Sequence, residues 1–163
     1  FKNKKDYQIL KETKILHQKK KDLSKIQIIE FSVLFLILNY IEIVEKKLEK
    51  LSEIKFLSEK NESLKNEIIT SLTDEGDKEA TRLKINAGYN KLITEIQENS
   101  NIHIITKNKT DEDISVLLDE LIQDHRDQSN LRKIESLEQK LINNLDENSY
   151  SELIKLKSQL NRE

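Results

Sequence analysis

Residues that could bind a metal ion or act in catalysis are sparse in this sequence of 163 residues. The histidines lie far apart, at His17, His103 and His125. Only His125 has acids close by, at Asp124 and Asp127. Neighbours at these spacings do not share a helix face well, whereas the ligands of a metal ion must converge on one point. We therefore expect no metal site at this cluster.

The other residues that catalysis commonly requires are missing or isolated. The chain contains no cysteine, and its two glycines, Gly76 and Gly88, do not form a phosphate-binding loop. Adjacent acids such as Asp119 and Glu120 are typical of a solvated helix face. Because no set of nucleophile, base and oxyanion donors is visible, we predict that this chain is non-catalytic and takes no small-molecule substrate or cofactor.

Composition predicts an all-α protein. The sequence has no proline, only two glycines and 36% charged residues, which excludes turn-rich β proteins. Its longest apolar run, Val33–Leu38, is far shorter than the roughly 20 residues of a membrane span, so we expect a buried helix there and no membrane contact. The absence of cysteine suits a cytoplasmic protein. The absence of methionine indicates a piece of a longer protein.

Capping and apolar spacing predict the elements before residue 110. Ser24 and Gln27 have the spacing of a capping box, and the residues from Ile26 to Val44 are apolar on nearly every side. Such a helix should lie in the middle of a bundle. Further helices are predicted over residues 44–58, with a possible break near Ser52, over 60–72 and over 77–98, with an interruption near Gly88, followed by a loop or short extended stretch over 99–110.

The last third of the chain predicts one long helix. Thr110 precedes three acids and marks its start, and no breaker appears for about 34 residues. A wide apolar stripe over residues 114–122 and a polar gap over residues 123–130 come first. A narrow seam suited to one partner helix then follows, consisting of Leu131, Ile134, Leu137, Leu141 and Leu145.

The final helix is the predicted partner of that seam. Ser149 and Glu152 are spaced as a second capping box, and leucines follow at three- and four-residue spacing. A connection of about four residues makes the two helices antiparallel. The predicted parts are a basic linker or peripheral helix over residues 1–21, a helical bundle over 22–123 and a C-terminal helical hairpin over 124–163.

Such a hairpin buries few apolar side chains, so the free energy gained by burial is small compared with the conformational entropy lost when the hairpin becomes ordered. We therefore expect it to be marginally stable alone. Ile142, Tyr150 and Ile154 are apolar residues left over beside its seam. Two interpretations stay open, because these residues either dock a partner or pack back on the bundle.

The charge of −2 hides an uneven distribution. Residues 1–25 carry nine lysines against three acids, and the scarcity of aromatic side chains among them favours a solvated linker over a nucleic-acid contact. Residues 111–163 carry thirteen acids against seven basic residues. An acidic segment repels phosphate, so we expect no nucleic-acid binding there.

The order of these elements resembles a known family. An apolar helix over Ile26–Tyr40 opens the domain, and residues 55–72 match its next helices. A long helix, an Asp/Glu/Asn turn and a terminal helix with basic residues over 145–163 complete the match. Together they resemble the C-terminal helicase-binding domain of the DnaG-type bacterial primase.

The resemblance implies a bundle followed by a hairpin that docks on the N-terminal domains of the hexameric replicative helicase. It also implies a parent that is a DNA-directed RNA polymerase with zinc and magnesium in other domains, a tether at residues 1–21, and either a monomer or a hairpin-swapped dimer. The leucines of the final helix serve hairpin packing or the partner. The implied contact residues are Tyr150, Leu153, Ile154, Leu156, Lys157, Leu160 and Arg162.

Other classes of protein share this pattern. The N-terminal domain of the replicative helicase has a related helical architecture. Helical surface lipoproteins of AT-rich bacteria, which bind host proteins, are also rich in Lys, Asn and Ile. A plain structural coiled coil is disfavoured by the short, irregular apolar blocks before residue 110.

Overall fold

The computed structural model describes residues 23–73, 78–144 and 146–160. Within these ranges the chain is helical and has no β-strand, which confirms the all-α prediction. The predicted linker of residues 1–21 lies outside the described residues. The helices, in chain order, are α1 (Lys25–Asn39), α2 (Ile41–Glu45), α3 (Leu48–Glu53), α4 (Glu59–Thr73), α5 (Lys78–Asn99), α6 (Ile102–Thr106), α7 (Asp111–Asn143) and α8 (Glu147–Leu160).

Helix α1 is the centre of the bundle. Its start is the predicted capping box, because the Gln27 side-chain oxygen accepts hydrogen bonds from the backbone N–H and the hydroxyl of Ser24, both at 2.9 Å. The helix packs against α4, α5 and α7. A helix enclosed on several sides needs apolar residues all round, and Leu34 and Leu36 are completely buried.

Three helix boundaries were predicted incorrectly. The first helix ends at Asn39 rather than Val44, because Tyr40 leaves helical geometry; in this last turn the Asn39 amide donates to the Phe35 carbonyl at 2.8 Å. Residues 44–58 do not form one helix, because α2 and α3 are short and residues 54–58 form a loop. Residues 99–110 contain α6, which buries Ile102 against the core. The interruption near Gly88 is confirmed by non-helical geometry at Tyr89.

Helix α7 is the longest element, with 33 residues, or about 50 Å at 1.5 Å per residue. Thr110 caps it as predicted, accepting the Asp113 N–H at 3.2 Å, while the Asp113 carboxylate accepts the Thr110 N–H at 3.3 Å. The polar stretch over residues 123–130 does not interrupt the helix. A single rigid rod therefore runs from the bundle into the C-terminal part of the chain.

The two halves of α7 bury different faces. Successive residues are rotated by about 100° around the helix axis. On that basis the buried residues of the first half of α7 cover an arc of about 80°, and the centre of the buried residues of the second half lies about 135° from the centre of that arc. The first set faces the bundle, and the second faces α8. The buried residues are Ile114, Leu118, Ile122 and His125 in the first half, and Ile134 and Leu137 in the second.

Candidate docking surface

The hairpin of α7 and α8 has its own small apolar cluster. Ile134, Leu137 and Leu153 are buried to 7% exposure each. Leu156 and Leu160 pack against them and are half-buried. Three of the predicted contact residues therefore lie inside the hairpin, so the structure favours the packing interpretation for these leucines.

An ion pair defines one side of the hairpin. The Lys157 ammonium lies 2.7 Å from a Glu138 carboxylate oxygen, which places these two residues on the same side. Ile142 is one turn from Glu138 on α7, and Ile154 is one turn from Lys157 on α8. Tyr150 lies one turn before Ile154, so all of these residues share that side.

Apolar groups on this side are open to solvent. Ile142 is 75% exposed, Tyr150 56% and Ile154 50%. We call Ile142, Tyr150, Ile154 and Lys157 the docking face. An exposed apolar group on a small satellite cluster is typical of a protein-binding surface. Among the predicted contact residues, Tyr150, Ile154 and Lys157 belong to this face, whereas Arg162 lies outside the described residues.

The start of α8 differs from the prediction. Ser149 is not the cap, because the helix begins at Glu147 and the Asp146 carboxylate accepts the Ser149 hydroxyl at 2.7 Å and the Ser149 N–H at 3.0 Å. These hydrogen bonds, together with one from the Asn148 N–H, hold the pKa of Asp146 below its usual value. The sequence pattern was ambiguous because an acid three residues earlier offers the same capping chemistry.

Ion pairs fix the position of α7 along the bundle. Asp119 binds the ammonium groups of Lys47 and Lys50, the latter at 2.9 Å. Burial raises the pKa of Asp119, but the two lysines lower it by more than burial raises it. The pKa of Asp119 therefore lies below its usual value. Arg126 pairs with Glu53 farther along the same helices. The predicted solvated acid at position 119 is therefore part of a structural contact.

A buried polar cluster lies where α7 leaves the bundle. Glu30 and His125 are almost completely buried, and the His125 Nε2 atom lies 3.6 Å from Glu30 Oε1. The Glu30 carboxylate accepts the Leu57 N–H at 2.5 Å and the Asn61 amide at 2.8 Å. Burial raises the pKa of Glu30, but the imidazole and these N–H groups favour the carboxylate more strongly, so its pKa lies below the usual value.

The same cluster holds the loop over residues 54–58. Lys65, completely buried, donates to the Ile54 carbonyl and lies 3.0 Å from a Glu62 oxygen. Glu62 in turn accepts the Phe56 N–H at 2.8 Å. Burying a charged group is unfavourable unless that group is paired. Because Glu30, Glu62 and Lys65 all bind backbone groups of this loop, they hold its backbone in one conformation.

Sequence reasoning missed this cluster. It associated His125 with Asp124 and Asp127, whereas the structure brings the imidazole to Glu30 and the Phe56 ring, whose centroid is 5.2 Å away. The available signal was a lone Glu inside a helix that is otherwise apolar, because a buried carboxylate requires a partner. No group of three potential metal ligands occurs among the described residues.

Comparisons with known proteins give no relative. No protein-family model, curated protein or solved structure matches this chain. Within the described ranges, no helix has the length and apolar character that crossing a membrane requires.

Proposed function

We propose that this chain is a non-catalytic interaction domain that docks on the N-terminal domains of a hexameric replicative helicase, as the helicase-binding domain of a bacterial primase does. In this role it couples primer synthesis to DNA unwinding. The docking face supplies the contact, and the bundle holds α7 so that this face is presented.

One observation carries the proposal. Ile142, Tyr150 and Ile154 are at least half exposed on one side of the hairpin, and the hairpin's own cluster has three buried residues within the described part of the chain. Interface energy is commonly concentrated in a few aromatic and large apolar side chains. Tyr150 has both properties of such an anchor, a large apolar ring and a polar hydroxyl.

The experiment compares binding of the whole chain and its variants to a bacterial hexameric helicase by size-exclusion chromatography and titration calorimetry. Tyr150→Ser with Ile154→Ser removes the apolar groups of the docking face and should weaken binding by more than about tenfold. Ile104→Ser with Ile105→Ser is the matched control, because these isoleucines are 66% and 55% exposed on α6 of the bundle. The control should bind like the parent chain.

Two results would contradict the proposal: no complex with the helicase, or equal weakening by both double variants. Assembly of the chain alone into rings would favour the N-terminal domain of the helicase itself. The gene sequence upstream of residue 1 distinguishes the two remaining classes, primase and surface lipoprotein. A zinc ribbon and a polymerase core support primase, whereas a lipobox cysteine supports a surface lipoprotein that binds a host protein.

A further inference from the structure

A groove lies at the base of the hairpin, away from the docking face. It has a volume of 760 Å³ and runs between the loop after α3 and the middle of α7. Lys55 lines the loop side, and Ser129, Arg132, Lys133 and Ser136 line the α7 side. These residues continue the helix face that the bundle covers earlier in α7.

The groove contains cations without partners. Lys55, Arg132 and Lys133 are exposed, and within the described part of the chain no hydrogen bond or ion pair involves their side chains. The acid in this groove, Glu53, is already paired with Arg126. The local charge is therefore positive, although the chain as a whole carries −2.

The charges of α7 are also separated by face from residue 124 onward. At about 100° per residue, the basic residues fall within an arc of about 120° and the acids within an arc of about 80° on the opposite side. The acidic composition of this segment hides the separation. The basic residues are Arg126, Arg132, Lys133 and Lys140, and the acids are Asp124, Asp127, Glu135 and Glu138.

The loop wall of this groove is held from behind. Glu30 binds the Leu57 N–H, Glu62 binds the Phe56 N–H and Lys65 binds the Ile54 carbonyl. These contacts fix the backbone on either side of Lys55 while its side chain faces outward. A cation on a fixed wall opposite a row of cations on a rigid helix is preorganised for an anion.

We propose that this groove binds the phosphate backbone of a nucleic acid. Lys55, Arg132 and Lys133 supply the charge, and the hydroxyls of Ser129 and Ser136, about one turn to either side along α7, supply neutral donors. Phosphate contacts of this mixed kind are typical of backbone binding. The proposal goes beyond helicase docking and is independent of it, because the docking face shares the acidic side of α7.

The extent of the basic face favours a polymer over a small anion. Arg132 and Lys140 are eight residues apart on α7, which corresponds to about 12 Å, more than one phosphate group covers. Phe56, the aromatic residue of the groove, is 3% exposed and offers no stacking surface. We therefore expect binding that is weak, independent of base sequence and strongly dependent on salt.

The test is fluorescence anisotropy of a labelled oligothymidine of about 20 nucleotides with the whole chain, between about 50 mM and about 200 mM salt. A plot of log affinity against log salt should have a slope of about −2 to −3, at about −0.7 per neutralised phosphate. Arg132→Glu with Lys133→Glu should weaken binding at least about tenfold and make the slope shallower by more than about 1.

Lys107→Glu with Lys109→Glu is the matched control, since it changes the net charge equally at exposed lysines of the bundle. It should bind within about twofold of the parent chain. Lys55→Gln, on the other wall, should reduce the slope by about 0.7 and keeps the test valid if the double reversal fails to fold. Absence of binding at low salt, equal effects of the two double variants, or preferential binding of a poly-glutamate peptide would overturn the proposal.

Discussion

The bundle and the hairpin differ in how completely they bury their side chains. Nineteen apolar residues of the bundle form one buried cluster, and several of them, such as Leu34 and Leu64, have no exposed surface. Among its described residues the hairpin buries three, each 7% exposed. Because local stability follows the number of buried apolar contacts, the hairpin should open at a lower free energy than the bundle. We propose that a partner covering the docking face would add the apolar contacts that the hairpin lacks.

The connection between the two regions is mainly polar. Between the last bundle contact of α7, Ile122, and the first hairpin contact, Ile134, the buried residue is His125. It lies against Glu30, and Arg126 beside it pairs with Glu53. These side chains lie where α7 leaves the bundle, and the rotation of α7 there decides the direction of the docking face and of the cationic groove.

Removing a core side chain from the bundle should cost more stability than any other substitution considered for this chain. Leu118→Ala removes a side chain that is 1% exposed and should lower the free energy of unfolding by about 3–4 kcal/mol. Urea denaturation followed by circular dichroism measures this loss. Because the hairpin opens at a lower free energy, its helices should lose structure no later than those of the bundle in this variant. A loss below about 1 kcal/mol would contradict the packing described for α7.

A smaller and more local effect is expected in the hairpin. Leu153→Ala should cost about 2 kcal/mol, because its surroundings are less enclosed and collapse around the vacancy. Hydrogen exchange should show faster opening of α8, with the protection of α1 unchanged. Uniform loss of protection across the chain would show that the two regions are one cooperative unit.

The buried Glu30 gives a pH-dependent effect. Its lowered pKa means that the folded state favours the carboxylate, so this stabilisation is complete above the usual carboxyl pKa and is lost as the pH falls through the folded-state pKa. Glu30→Gln should therefore cost about 1–2 kcal/mol at neutral pH and progressively less in acid. Denaturation at neutral and acidic pH measures the difference, with the exposed Glu98→Gln as control. A constant difference at all pH values would contradict this role.

The smallest effect concerns the start of α8. Asp146→Ala removes the cap, and hydrogen exchange of the first turn should become faster, whereas Ser149→Ala should have less effect because the Ser149 N–H still reaches Asp146. Since the pKa of Asp146 is lowered, this protection should also disappear as the pH falls through its folded-state value. A greater effect of Ser149→Ala than of Asp146→Ala would instead support the original prediction that Ser149 is the cap.

Local patterns predicted much of the fold. The caps at Ser24 and Thr110 and the length of α7 follow from chemistry within a few residues of chain, and all were predicted. The end of α1 was missed because the backbone leaves helical geometry at Tyr40, within an apolar stretch that continues beyond it, and a pattern of apolar residues does not record backbone geometry.

Long-range contacts account for what the sequence did not reveal. Glu30 and His125 are 95 positions apart, and the loop that Glu30 holds belongs to a third segment. The residues predicted to contact a partner do not all lie on one surface. Tyr150, Ile154 and Lys157 lie on the docking face, but Leu153 is buried, because the rotation of α8 is set by packing against Ile134 and Leu137. The cationic groove was hidden because net segment charge ignores the helix face on which each charge lies.

The most direct test of helicase docking is hydrogen exchange of the chain with and without the hexameric helicase. We expect the helicase to increase protection in α8 and in α7 from residue 131 onward, where the hairpin opens most readily. Protection in α1 and α4 should stay the same. Increased protection confined to the bundle, with an unchanged hairpin, would contradict the assignment of the docking face.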